Sequence, residues 1–139
     1  MTDCVFCEIV RTGKYEGSFG VEHDIRTVYF TPLNPVVPGH KLFVNSIHTG
    51  DAAESPKVTG WVFKAAAQYG AKQEESFNLI TSAGSSATQT VFHLHVHYIP
   101  RRYYDGLHLP WTDQEKPRTI KRMVGRRIVE EPFPIMKEN

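Results

Sequence analysis

The sequence predicts one domain of mixed α and β structure, in which short antiparallel strands pack with a single main helix. Two periodicities and the chain length predict it. Between residues 54 and 75, Val58, Trp61, Val62, Ala65, Ala66 and Tyr69 recur at steps of three and four, with Lys57, Lys64, Gln68 and Lys72 between them. That is the spacing of a helix with one apolar stripe. Elsewhere the apolar residues sit in short β-branched or aromatic runs bounded by Gly, Pro and Asp, as strands do. A length of 139 residues supports one compact core and not two.

Taken in order, residues 8–11 can form about one helical turn before Gly13 and Gly17 stop it. Residues 19–22, 27–30 and 41–45 read as a small antiparallel meander. Its strands are separated by His23-Asp24 and by the segment carrying Pro32, Pro35, Pro38 and Gly39. Pro56 suits the first turn of the main helix, whereas Gly60 and Gly70 would shorten it. Residues 77–81 and 91–99 are two further strands around the polar, glycine-containing loop 82–89. Residues 1–112 hold the domain, and 113–139 form a basic C-terminal extension with Lys116, Arg118, Lys121, Arg122, Arg126 and Arg127. Few aromatic residues interleave with these cations, so the extension reads as a solvated surface and not as a nucleic-acid site.

Sixteen Lys and Arg against fifteen Asp and Glu leave a formal charge of +1. An anionic partner must therefore be captured locally. No apolar run approaches the roughly 20 residues that span a bilayer, and the N-terminus has no basic segment followed by an apolar one, so the chain is expected to be cytoplasmic. Its two cysteines, Cys4 and Cys7, suit a metal or a redox pair better than a disulfide closing a long loop.

The stretch Val91-Phe92-His93-Leu94-His95-Val96-His97-Tyr98-Ile99-Pro100 has a period of two. In a strand this places Phe92, Leu94, Val96 and Tyr98 on one face, and His93, His95 and His97 on the other at steps of about 7 Å. Imidazole titrates near neutrality, so one ring of the row can attack while a neighbour holds an anionic oxygen or a proton. This division suits phosphoryl or nucleotidyl transfer. Service to a metal alone is the other reading of the row.

The segment Gln89-Thr90-Val91-Phe92-His93-Leu94-His95-Val96-His97 resembles the Q-[ST]-V-x-H-x-H-x-H signature of histidine triad (HIT) proteins. Pro35-Val36-Val37-Pro38-Gly39-His40-Lys41-Leu42-Phe43-Val44 is similar to that family's P-x-x-P-G-H-x-L-V-V segment. Cys4-Val5-Phe6-Cys7-Glu8-Ile9 is similar to the C-x-F-C-x-I opening of its zinc-binding bacterial and phage members. The three matches run in order through roughly residues 4 to 102.

The resemblance implies an α+β fold, with an antiparallel sheet of about five strands and one main helix, paired into a homodimer. It implies nucleotide hydrolysis or nucleotidyl transfer through a covalent histidine intermediate, on a phosphoramidate, a dinucleoside polyphosphate or a nucleotidyl adduct, with no organic cofactor. His95 corresponds to the nucleophile, and His97 to the group that binds phosphate or protonates the leaving group. Gln89 and Thr90 match polar positions at the phosphate, His40 a histidine beside the triad, and Ser82 stands where the family has an asparagine. Cys4, Cys7, His48 and His93 correspond to the ligands of a structural zinc. Phe6, Phe19 and Ile25 read as core. Pro32 stands where the family often has an aspartate for the ribose hydroxyls, which leaves substrate preference open. A nucleotide-binding regulatory protein of weak activity, and a purely metal-binding module, are the competing readings.

Overall fold

The computed structural model describes residues 3–22, 24–112 and 119–132. They form two compact units, the first ending at Tyr103 and the second beginning at Tyr104.

In the first unit the chain runs through α1 (Val5–Thr12), β1 (Gly17–Glu22), β2 (Ile25–Phe30), β3 (Lys41–Asn45), α2 (Pro56–Ala71), β4 (Ser76–Ile80), a 3-10 turn (Ser85–Ala87) and β5 (His95–Arg101). The five strands make one antiparallel sheet in the order β1-β2-β3-β5-β4. Each of the five expected strands is present, with ends displaced by a few residues. The turn residue His23 lies outside the described residues.

Both faces of the sheet are covered. On one, Val58, Val62, Ala65 and Ala66 of α2 pack on Phe43, Leu94, Val96 and Tyr98, with Phe19 at the margin. The helix starts where the Ser55 hydroxyl accepts the Val58 N–H, and Pro56 follows as its first residue, where a missing N–H costs nothing. Gly70 sits within this face because a Cβ there would lie 2.6 Å from the Phe77 ring. On the other face, Phe6, Ile9 and Val10 of α1 pack on Val28, Phe30, Leu42 and Val44. This helix is longer than the single turn expected, because Cys4 caps it: its sulfur accepts the Cys7 N–H, and Gly13 closes the far end at φ 74°.

The last strand departs from expectation. It begins at His95 and not at residue 91, because Leu94 N–H donates to the Thr49 carbonyl at 2.6 Å and leaves the ladder. Leu94, Val96 and Tyr98 do face α2, but Phe92 precedes the strand and is 51% exposed. The alternation of the sequence therefore holds for three of the four apolar positions.

The second unit contains a hairpin, β6 (Thr119–Val124) and β7 (Arg127–Pro132), that the sequence reading did not foresee. Val124 pairs with Arg127, so Gly125 and Arg126 form a two-residue turn, and Gly125 supplies the positive φ of 62° that such turns need. Lys116 and Arg118 of the basic extension lie outside the described residues.

Phe43 has no exposed surface and sits between α2 and the sheet. Replacing it by alanine should cost about 3–5 kcal/mol, the usual price of a buried aromatic cavity. Urea denaturation at constant pH measures this as a lower midpoint with an unchanged slope.

Candidate active site and metal centre

β5 lies between β3 and β4, and its register sets His97 opposite Leu42 and His95 opposite Val44. Leu42 and Val44 belong to the face that α1 covers. His95 and His97 thus share that face, with ring centroids 5.2 Å apart.

Hydrogen bonds to the backbone assign their tautomers. His95 Nδ1 lies 2.8 Å from the His93 carbonyl oxygen. A carbonyl only accepts, so Nδ1 carries the proton and Nε2 keeps its lone pair. For His97 the assignment starts further away. The Val36 N–H donates to His40 Nδ1 at 3.1 Å, so the neutral His40 ring has its proton on Nε2. That group donates to His97 Nδ1 at 2.9 Å, which leaves the His97 proton on Nε2. Two adjacent rings therefore carry opposite functions at the same atom, a lone pair at His95 and an N–H at His97.

Burial keeps the row uncharged. It lowers the His97 pKa from 6.5 to about 4, with His95 and His40 adding to the effect. His95 is lowered by burial against the opposing pull of the His93 carbonyl, and His40 by burial. All three are neutral at pH 7, the state the hydrogen bonds require.

His93 turns the other way. Its ring is fully buried and Nε2–H donates to the Asn45 carbonyl at 3.0 Å, so Nδ1 is a free lone pair. That atom lies 3.4 Å from Cys4 Sγ and 3.4 Å from Cys7 Sγ. Cys7 Sγ is also 3.2 Å from Nδ1 of the exposed His48. The four ligand atoms lie within 4.8 Å of one another. A tetrahedral zinc with bonds of about 2.3 Å to sulfur and about 2.0 Å to nitrogen needs sulfur–nitrogen edges of roughly 3.6 Å. The donor set and its spacing fit zinc, and the Asn45 carbonyl supplies the outer contact that fixes a ligating imidazole.

The remaining predicted positions divide. His40 is buried behind His97 and reaches the row only through it. Gln89, also buried, donates from Nε2 to the Gly50 and Val91 carbonyls at 2.7 and 3.1 Å and accepts the Gly84 N–H at 2.9 Å. Its amide holds the loop together. Thr90 is exposed and Ser82 half-buried. The sequence reading missed Thr81, whose hydroxyl donates to the His95 carbonyl at 2.8 Å. Phe6, for which the sequence favours core packing over the wall of a base pocket, stands edge-on to His95 at 5.1 Å and to His93 at 6.0 Å. No local pattern marks Thr81, whereas Phe6 stands between the two cysteines.

Comparison with known proteins agrees with this geometry. The family model described as HIT domain matches residues 17–104. The chain is 32% identical over 111 residues to adenylylsulfatase HINT3 of Arabidopsis thaliana, covering 76% of this chain but 55% of that protein. It is 28% identical over 115 residues to adenosine 5'-monophosphoramidase HNT1 of Saccharomyces cerevisiae, covering 81% and 72%. A zinc-bound histidine triad family protein from Mycobacterium smegmatis has a similar structure, with TM-score 0.56 and 28% identity over 76% of this chain and 80% of that one.

The depressed His97 pKa has a consequence for stability. In the unfolded chain this ring takes up a proton near pH 6.5, and in the folded protein only near pH 4. Stability is therefore full above pH 6.5 and is lost as pH falls toward 4. Unfolding free energies from urea titrations at pH 7 and pH 4.5 should differ less in His97→Gln than in the parent, by about 2 kcal/mol.

Proposed function

Because the chain belongs to the HIT domain family, we propose that it hydrolyses or transfers a nucleotidyl group, with His95 as the covalent nucleophile. The observation that carries this reading is the tautomer pair: a lone pair on His95 Nε2 beside an N–H on His97 Nε2.

In the first step His95 Nε2 attacks phosphorus and the bond to the leaving nitrogen or oxygen breaks, the electron pair departing with the leaving group, which takes up a proton from solvent. Positive charge develops on the His95 ring, and the His93 carbonyl on its Nδ1–H stabilises it. Water then attacks the phosphorus of the adduct and loses a proton to solvent, while the phosphorus–nitrogen bond breaks with its electron pair returning to Nε2, which leaves His95 neutral. His97 acts as a hydrogen-bond donor to a phosphate oxygen. Transfer of its proton is disfavoured, because His40 could replace it only by giving up its single Nε2 proton, and the Val36 N–H already occupies its other nitrogen. His40 and Gln89 act behind the site, while Thr90 and Ser82 are assigned to the phosphate side.

The substrate class is a nucleoside phosphoramidate or mixed anhydride, a choice supported by the adenylylsulfatase and monophosphoramidase names of two relatives. Dinucleoside polyphosphates and other nucleotidyl adducts are chemically equivalent targets. Half-buried Pro32 offers no side-chain polar atom to a ribose. We assign catalysis to residues 1–112 of a cytoplasmic homodimer, with 113–139 as a basic C-terminal extension. Cys4, Cys7, His48 and His93 would hold one zinc with no open position, as structural sites do. Among the described residues no helix is long and apolar enough to cross a membrane.

His95→Ala should fold, by circular dichroism, and lose about a thousandfold or more of its turnover on an adenosine phosphoramidate. A folded variant with comparable activity would overturn the mechanism. Protein purified without chelators should contain one zinc per chain. The Cys4→Ser, Cys7→Ser double variant should contain none and melt at lower temperature, because a ligand bound only by the native state stabilises it. Metal analysis and a thermal scan check both, and a metal-free parent of unchanged melting temperature would remove zinc from the assignment.

A further inference from the structure

The turn His48-Thr49-Gly50 touches the site at Cys7, Leu94 and Gln89. His48 brings its Nδ1 to within 3.2 Å of Cys7 Sγ. The buried Thr49 accepts the Leu94 N–H on its carbonyl at 2.6 Å. The Gly50 carbonyl accepts Gln89 Nε2–H at 2.7 Å, and Gln89 in turn accepts the Gly84 N–H at 2.9 Å. The peptide joining His93 to Leu94 is the centre of this arrangement. Its N–H is held by Thr49, its carbonyl accepts His95 Nδ1–H at 2.8 Å, and the His93 side chain belongs to the thiolate–imidazole cluster.

We propose that the His48–Gly50 turn is a positioning element for the nucleophile, holding the His93–Leu94 peptide from one side while His93 holds it from the other, so that ligation at His48 aims His95. This rests on the assignment of His95 as nucleophile and of the four-residue site as a zinc centre. A carbonyl displaced by even an ångström would lose the bond to Nδ1–H. The ring would then populate both tautomers, and its attacking nitrogen would be protonated part of the time. Rate would fall through misplacement of the reacting atom, without loss of substrate affinity. A metal serving stability alone would leave the tautomer of the folded protein untouched.

The test compares zinc-loaded full-length parent, His48→Ala and His48→Cys by three readouts: circular dichroism, the long-range proton–nitrogen spectrum of the imidazoles, and single-turnover formation of the adduct from an adenosine phosphoramidate. In the parent His95 should show one Nδ1–H tautomer with a slowly exchanging proton. In folded His48→Ala that signal should broaden or split, and the adduct-forming rate should drop by at least about tenfold while KM stays within about twofold. His48→Cys keeps a zinc ligand at the turn and should restore both. Parent-like imidazole signals and rate in folded His48→Ala would overturn the proposal, as would a zinc-loaded His48→Cys in which the signal stays lost. If His48→Ala does not fold, His48→Cys decides alone on the same spectrum. A parent that forms no adduct at His95 would sink the catalytic assignment instead, and the imidazole spectra would still decide the positioning.

Discussion

His93 is the residue on which the rest of the site depends, because one buried side chain and its peptide serve three partners at once. The ring donates its Nε2–H to the Asn45 carbonyl and turns its Nδ1 lone pair toward the cysteine sulfurs, and the His93 carbonyl accepts the His95 Nδ1–H. A buried imidazole that left either nitrogen unpaired would carry a desolvation cost of about 1–3 kcal/mol. Satisfying both nitrogens locates the N-terminal helix, the end of β3 and the start of β5 against one another. His95 takes its orientation from that junction.

The sheet converts this junction into a reactive face. With β5 interior to the sheet, neighbouring strands on both sides fix its backbone, so residues two apart hold their side chains in a set relation. The α2 face absorbs Leu94, Val96 and Tyr98 into the core. The opposite face must then present His95 and His97, and α1 covers the part of that face nearest His93. Phe6 completes the cover with edge contacts to both His93 and His95, which places the helix that carries Cys7 in contact with His95.

The histidine row works without charge. Burial holds His97 near a pKa of about 4 and lowers His95 and His40 as well. A neutral row binds an anion less strongly than a cationic one would. In exchange, His95 Nε2 keeps its lone pair at pH 7, which is what nucleophilic attack requires. The backbone groups of Val36 and His93 set the proton positions, and a backbone amide or carbonyl cannot change its role as donor or acceptor. The proton positions of the row are therefore fixed by the fold.

Much of this was legible in the order of residues alone. Apolar periodicity gave α2 and the strands, because spacing reports which side of an element is buried. The motif resemblance named His95 and His97 and the set Cys4, Cys7, His48 and His93, which the fold brings together. Tertiary structure decided which partners each group meets. His40 and His97 are 57 positions apart, and no periodicity could show that a hydrogen bond between them, anchored on Val36, puts the His97 proton on Nε2. Gln89 carries the signature of a phosphate-site residue, yet its amide is spent on Gly50, Val91 and Gly84. Phe92 fits the alternation but lies outside the strand, because Leu94 found its partner in Thr49. Periodicity encodes burial, a property of one segment, whereas hydrogen bonding between distant segments depends on where the folded backbone places its donors and acceptors.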